Sequence, residues 1–180
     1  MIQIKNAAEL EKMRKACAIS AAALKAGGEA IEPGITTAEI DKIIYDFIVR
    51  HGARPNFLHL YGFPATACIS VNDTVIHGIP SRQQQIRPGD IVSIDTGCKI
   101  DGFNGDNACT YACGKIDLEA QRLLDVTKEG LHRGIEMARG GNRVGDIGHA
   151  VQSYVEENGF SVVRSFVGHG VGKELHEDPE

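Results

Sequence analysis

Apolar residues recur at helical spacing in four segments of the chain. The first segment follows a capping-box pair, Asn6 with Glu9, and ends at about residue 27. The second follows a similar pair, Thr36 with Glu39, and ends near residue 52. Two more helices are predicted at about 118–138 and about 146–157, on either side of a glycine pair. The pattern therefore predicts two helical pairs, one in each half of the chain.

Alternating and β-branched residues predict a hairpin between the helical pairs. Asp101-Gly102 is a strong two-residue turn signal, and Phe103 to Tyr111 supplies the return strand. With that turn, Gly97 faces Asp106, and Asp95 lies two residues along the same face. Two partly buried carboxylates on one face need a cation or a raised pKa. A solvated hairpin whose aspartates only cap turns remains the alternative at this point.

The two halves of the chain repeat one order of elements. Short strands are predicted at 67–71 and 74–76 before the hairpin, and at 160–163 in the second half. When the chain is slid on itself, Gly34 aligns with Gly141 and Ile40 with Ile147. Two copies with so long a period indicate a duplicated α+β unit rather than a solenoid. The first repeat spans about residues 1–115 and the second about 116–180.

Composition excludes several functional classes. The 180 residues are 42% hydrophobic and 24% charged, as in an ordinary single soluble domain. The formal net charge of −5 and the scattered basic residues argue against nucleic-acid binding. No apolar run is long enough for a membrane helix and no signal-peptide core is present, so a cytoplasmic protein is expected. Five cysteines without metal-ligand spacing indicate reduced thiols.

Two histidines near the end of the sequence add candidate ligands. Glycines flank His169 on both sides, so backbone can come close to whatever its ring contacts. A lone histidine is more often an ordinary hydrogen-bonded residue, but His176 follows seven residues later. Together with Asp95 and Asp106, these imidazoles favour a metal site suited to Mn, Fe, Co, Ni or Zn.

These features resemble the short bacterial type I methionine aminopeptidases of the pita-bread metallopeptidase family. The likeness spans all 180 positions, through motifs around Lys12, Tyr61-Gly62-Phe63-Pro64, His77-Gly78-Ile79-Pro80, His169 and His176-Glu177-Asp178-Pro179. It implies an α+β fold, with a duplicated α/β unit around a curved antiparallel sheet, in a single catalytic domain over 1–180. It also implies removal of the initiator methionine from nascent proteins, by attack of a metal-bridging hydroxide held by two divalent ions.

The resemblance also assigns roles to single positions. Asp95 matches a ligand of one metal ion, Asp106 the bridging ligand and His169 a ligand of the other ion. His77 matches the histidine that contacts substrate and assists proton transfer, and His176 the one that stabilises the tetrahedral intermediate. The methionine side-chain pocket matches Phe57, Leu60, Phe63, Cys68 and Leu175, although family members often carry tyrosine at the positions of Leu60 and Phe63.

One departure from the family concerns its metal ligands. The family completes its site with two downstream glutamates that have no counterpart within residues 1–180, and the second repeat stops before its own hairpin. The expectation is therefore a C-terminally truncated chain with an incomplete second repeat and impaired activity. The expected partners are the N-terminal methionine of nascent peptides and, as a further candidate, the ribosome, with a monomer at full length.

Two other functions compete with the methionine aminopeptidase. A pita-bread module that only binds is one, because some relatives lack metal ligands. A proline-directed aminopeptidase relative is the other, although such relatives usually carry an additional N-terminal domain.

Overall fold

Helices form where the apolar stripes and capping residues predict them. The computed structural model describes all 180 residues, as two compact units: residues 1–116 with 169–178 and residue 180, and residues 117–168 with Pro179. The elements in chain order are α1 Ala7–Glu29, α2 Thr37–Arg50, β1 Arg54–Pro55, a 3₁₀ turn Leu60–Gly62, β2 Ala67–Val71, β3 Ile91–Ile100, β4 Phe103–Ala112, α3 Leu118–Met137 and α4 Val144–Glu157. No helix is both long enough and apolar enough to cross a membrane.

Both predicted capping boxes are present. The Asn6 side chain accepts from the Glu9 N–H at 3.0 Å, and the Glu9 carboxylate accepts from the Asn6 N–H at 3.0 Å. Thr36 and Glu39 exchange the same pair of bonds at 3.2 and 2.8 Å. These bonds satisfy N–H groups that a helix start otherwise leaves unpaired. Both predicted helix starts are therefore confirmed.

The first unit contains a four-stranded antiparallel sheet with β3 at its centre. Strand β4 pairs along one edge of β3, while β1 and β2 follow one another along the other edge. The predicted turn is confirmed, because Asp101 and Gly102 have φ values of 53° and 84° and connect β3 to β4. Two positive φ values in a two-residue loop are typical of a type I′ hairpin.

Helices α1 and α2 contribute to the core beside one face of this sheet. The buried apolar residues include Ile40, Ile44 and Ile48 of α2 with Val92, Ile94 and Cys98 of β3. Helix α1 approaches β4 closely, since a Cβ on Gly105 would stand 2.5 Å from the backbone carbonyl of Ala16. The packing fixes this face of the hairpin as the core face. The opposite face, which carries Asp95 and Asp106, remains available for a site.

The second unit consists of a helical pair. Gly130 and Gly134 are buried on α3, and Cβ atoms there would meet the side chains of Val155 and Val151 on α4 at 3.4 and 2.8 Å. Small residues at this spacing let two helices pack closely. Helix α4 begins two residues before the predicted start, because the Arg143 N–H donates to the Asp146 carboxylate at 2.7 Å.

Two predicted strands are wrong. Residues 74–76 form no strand. The Thr74 N–H donates to the carbonyl of Val71 in a turn, and the next backbone bond to β2 comes after this segment, where the Ile69 N–H donates to the carbonyl of Gly78. Residues 160–163 also form no strand: the Phe160 N–H donates to the carbonyl of Val155 at the end of α4, and no strand pairs with the segment. Both segments have β-forming residues, but a strand requires a partner for its ladder of hydrogen bonds.

Asp41 fixes the start of β2. Its Oδ1 accepts from the N–H groups of Thr66 and Ala67 at 2.9 and 2.8 Å, and both of those residues are buried. We expect Asp41→Ala to lower the free energy of unfolding by about 2–4 kcal/mol, because two buried donors lose their acceptor. Asp41→Asn keeps an Oδ1 acceptor and should lose less than half as much in urea titrations. Equal losses for the two variants would show that these two bonds do not explain the role of Asp41.

Candidate metal centre and adjoining pocket

The hairpin places two carboxylates on the face opposite the core. Gly97 pairs with Asp106 across the ladder, and Asp95 lies two positions along β3 on the same side. This is the register predicted from the turn. Cys68 of β2 pairs with Asp95 from the other edge of β3. Three neighbouring strands therefore contribute to one surface.

Burial makes this carboxylate pair hold a proton. Burial, and then the charge of Asp106 together with a hydrogen bond between the two side chains, raises the pKa of Asp95 to about 7. The pKa of Asp106 is also raised by burial, although His169 and His176 act in the opposite direction. The two carboxyl groups therefore retain a shared proton to higher pH than isolated carboxyl groups would when no cation is present.

The two histidines come from residues 169–178, here called the histidine turn, which belongs to the same compact unit as the hairpin. Gly170 and Glu177 form an antiparallel bridge with two hydrogen bonds of 2.8 Å. The bridge brings the rings of His169 and His176 into edge-to-face contact, with centroids 4.4 Å apart. The His169 Nε2 lies 3.7 Å from Asp106 Oδ2, and its Nδ1 lies 2.9 Å from the carbonyl of Gly170.

His77 lies on a loop pressed against β2. Its φ is 57°, in the left-handed region that few residues other than glycine adopt. The next residue, Gly78, lies so close to β2 that a Cβ there would stand 2.2 Å from the carbonyl oxygen of Ile69. The Gly78 N–H also donates to Ser70 Oγ at 3.0 Å. Strain held by surrounding contacts is common at functional sites.

One cavity of about 550 Å³ unites these groups. Its lining contains every candidate site residue from the sequence: Phe57, Leu60, Phe63, Cys68, His77, Asp95, Asp106, His169, Leu175 and His176. It also contains Tyr61, Gly62, Pro64 and Ile79, to which sequence reasoning assigned no role. Tyr61 is 90% exposed and has a φ of 49°. The sequence signal that could have indicated Tyr61 was its position in the Tyr61-Gly62-Phe63-Pro64 motif, which also contains the pocket residue Phe63.

The wall of the cavity beside the carboxylates is neutral. Burial, followed by the charges of Asp95 and Asp106, raises the pKa of the Cys68 thiol to about 12. The thiol is therefore protonated at neutral pH and behaves as a small apolar group. Together with two phenylalanines and two leucines it makes the rest of the wall suited to an uncharged side chain.

The donor chemistry of the site fits a divalent cation. Two facing carboxylates that must share a proton, with an imidazole at 3.7 Å, would be satisfied by a cation in place of that proton. No group of three or more His, Cys, Asp or Glu side chains is already close enough together to hold a metal ion. Binding of one cation by Asp95, Asp106 and His169 would therefore require these side chains to move closer together.

The shared proton predicts how the metal-free protein responds to pH. The pKa of Asp95 is raised above its unfolded value, so the folded state holds more protons than the unfolded state between about pH 4 and pH 7. Stability should therefore fall as pH rises through that window, by at most about 1.4 kcal/mol per pH unit. We expect Asp95→Asn to flatten this dependence and to be more stable than the parent at pH 8, in calorimetric melts with EDTA. An unchanged slope in the variant would contradict a shared proton.

Comparison with known families decides the class to which this geometry belongs. Residues 11–180 match the model of metallopeptidase family M24. The chain belongs to metallopeptidase family M24. Within this family it is 52% identical over 180 residues to a methionine aminopeptidase of Clostridium perfringens, covering all of this chain and 72% of the relative. It is 46% identical to methionine aminopeptidase 1 of Bacillus subtilis, again over 72% of that protein.

Solved structures of M24-like enzymes show the same fold. Methionine aminopeptidase from Thermotoga maritima superposes with a TM-score of 0.97 at 41% identity, over 99% of this chain and 72% of that one. Prolidase from Pyrococcus furiosus superposes with a TM-score of 0.85 at 26% identity, over 98% of this chain and 51% of that one. The predicted pita-bread fold is confirmed. The M24 family is one of metal-dependent hydrolases, and the chain spans 72% of the length of the Clostridium perfringens and Bacillus subtilis relatives.

Proposed function

We propose that this chain acts on the N-terminal methionine of peptides and releases it by hydrolysis. The observation that carries the proposal is the single cavity in which the carboxylate pair, three imidazoles and an apolar wall meet. A metal-assisted hydrolase needs the first two groups, and a methionine pocket needs the third. The proposal is supported by M24 membership and by relatives named methionine aminopeptidase.

Asp95, Asp106 and His169 are proposed to hold divalent metal. When bound, a divalent cation supplies Lewis acidity and lowers the pKa of water towards neutrality. The Asp95–Asp106 pair would hold the ion through its carboxylate oxygens, in place of the shared proton, and His169 would add a ring nitrogen. The resemblance implies two ions, but among residues 1–180 these three are the only candidate donors that we assign. We therefore propose that the chain, tested as residues 1–180, binds one ion well and turns over slowly.

His77 and His176 are proposed to serve the peptide rather than the metal. Both line the cavity that holds the carboxylate pair, and neither lies on the hairpin. His77, which has a left-handed backbone on its loop, is proposed to contact substrate and to hold or move a proton near the scissile bond. His176, which packs edge-to-face on His169, is proposed to donate to the developing oxyanion.

The apolar wall is proposed to select methionine. The residues of this wall are Phe57, Leu60, Phe63, Cys68 and Leu175, and the rings of His77 and His176 adjoin it. An unbranched thioether fits such a slot and makes favourable contacts with aromatic rings. A charged first residue would lose its hydration without gaining a partner there.

Paired peptides test this function. We expect the chain with added Mn²⁺ or Co²⁺ to cleave Met-Gly-Met-Met at least 100-fold faster than Lys-Gly-Met-Met, because burying an unpaired ammonium costs several kcal/mol. EDTA-treated protein is the control and should cleave neither. Comparable cleavage of both peptides would show that this wall does not select the first residue.

The same assays separate the two competing functions. A binding-only module would bind methionine peptides without cleaving them, with or without metal. A proline-directed relative would prefer peptides containing proline. The structural likeness to prolidase at 26% identity is weaker than the likeness to methionine aminopeptidases, so it does not favour the second competitor.

The setting of the reaction is part of the proposal. The substrate is the N-terminal methionine of nascent chains in the cytoplasm, with the ribosome as a further candidate partner and a monomer as the working state. The negative net charge supports a peptide rather than a nucleic-acid substrate.

A further inference from the structure

The histidine turn is held to the hairpin by hydrogen bonds from Lys99 of β3 to the carbonyl of Lys173 and from a buried amide, that of Asn104. Asn104 of β4 is 2% exposed, and its N–H and Nδ2 both donate to the carbonyl of Gly172 at 2.8 Å. Its Nδ2 also donates to the carbonyl of Lys173 at 2.9 Å. These bonds fix the middle of the turn but do not reach its two histidines.

An ion pair fixes the part of the turn where the Gly170–Glu177 bridge holds the two histidines together. Glu177 is only 8% exposed, and its carboxylate forms an ion pair with Lys5, which lies just before α1. The other carboxylate oxygen accepts from the Glu174 N–H at 3.1 Å. The backbone of Glu177 exchanges two bonds with Gly170, the residue after His169. Glu177 is thus adjacent to His176 in sequence and bonded to the neighbour of His169.

The packing leaves little freedom for this ion pair. A Cβ on Gly172 would stand 2.6 Å from both carboxylate oxygens of Glu177 and from Cε of Lys5. A glycine at that position is what allows the pair to lie inside the turn. Buried ion pairs contribute little net stability, because the loss of hydration offsets the attraction.

We propose that the Lys5–Glu177 ion pair is a positioning device that fixes the orientation of both imidazoles of the histidine turn toward Asp106. Neither residue lines the cavity, so both act through His169 and His176. The link to catalysis rests on the proposed function, whereas the effect on the rings does not. The pair connects the segment before α1 to the site across nearly the whole sequence, and nothing in the spacing of motifs indicates it.

The test uses Glu177→Gln and Lys5→Met in the 180-residue chain. Glu177→Gln keeps the shape and the acceptor for Glu174, and Lys5→Arg should restore what Lys5→Met removes. Lys15→Met is the matched control, because Lys15 forms an exposed ion pair with Asp101 at the hairpin turn, away from the cavity. The readouts are the ring ¹⁵N resonances of the histidines without metal and the affinity for Zn²⁺.

The proposal expects a pattern that a purely stabilising pair would not produce. In Glu177→Gln and Lys5→Met the resonances of His169 and His176 should shift, while those of His51 at the end of α2 stay in place. Zn²⁺ affinity should fall by about 10–100-fold, the usual effect of removing a group that orients a ligand. Lys15→Met and Lys5→Arg should match the parent in both readouts.

Two results would distinguish a failure of the positioning role from a failure of the proposed function. Unshifted histidine resonances and parental Zn²⁺ affinity in correctly folded Glu177→Gln and Lys5→Met would overturn the positioning role. A parent chain that binds no Zn²⁺ would contradict the proposed function instead, and the histidine resonances would still decide the positioning role.

Discussion

Asp106→Ala is expected to abolish divalent-metal binding. Asp106 Oδ2 lies 3.7 Å from His169 Nε2, and Asp106 shares a hydrogen bond with Asp95. Its removal therefore leaves one carboxylate and one imidazole without the group that lies beside both. We expect the affinity for Mn²⁺ or Co²⁺ to fall below detection in calorimetric titrations. Asp106→Asn should be nearly as damaging, because an amide keeps the shape but supplies no charge.

A matched control lies in the same hairpin. Asp101→Asn changes an exposed aspartate at the turn outside the cavity, and asparagine tolerates the left-handed φ of 53° found there. Its titration should match that of the parent. If the isotherms of Asp106→Asn and the parent coincided, the metal would have to bind away from the hairpin.

His77→Ala is expected to lower turnover of Met-Gly-Met-Met by about 10²–10⁴-fold, the usual contribution of a positioned proton-transfer group. Metal affinity should stay within about twofold of the parent, because His77 is not among the assigned donors. The control is His77→Asn, which tolerates the left-handed backbone at this position and so separates the loss of the imidazole from a disturbed loop. Equal turnover in both variants and the parent would remove His77 from the reaction.

Local signals predicted most of the fold. Each capping box involves residues three positions apart, and the hairpin register follows from a two-residue turn, so sequence alone places Asp95 and Asp106 on one face. The two wrong strand predictions depended on non-local contacts, which local signals do not show. Residues 74–76 and 160–163 have β-forming side chains, but no ladder partner lies beside them, and partners cannot be read from local composition.

The candidate site was predictable only in part, and the limit is sequence distance. The aspartates and histidines are separate short motifs. Their residue types favoured a shared metal site, and the resemblance to a known family assigned each of them a role in it. The contact of Lys5 with Glu177 joins the two ends of the sequence and matches no motif. Tyr61 lies in the Tyr61-Gly62-Phe63-Pro64 motif, but a motif does not show which of its side chains line a cavity. Such contacts become visible only once the chain is folded.

We expect a divalent ion to bind between Asp95 and Asp106, with His169 completing the site. Anomalous diffraction at the zinc edge, from crystals of the 180-residue protein soaked in Zn²⁺, can locate this ion. One strong peak is expected about 2.0–2.2 Å from a carboxylate oxygen of each aspartate and from the Nε2 of His169. A peak only at other surface groups, or an empty hairpin face at full zinc loading, would contradict it.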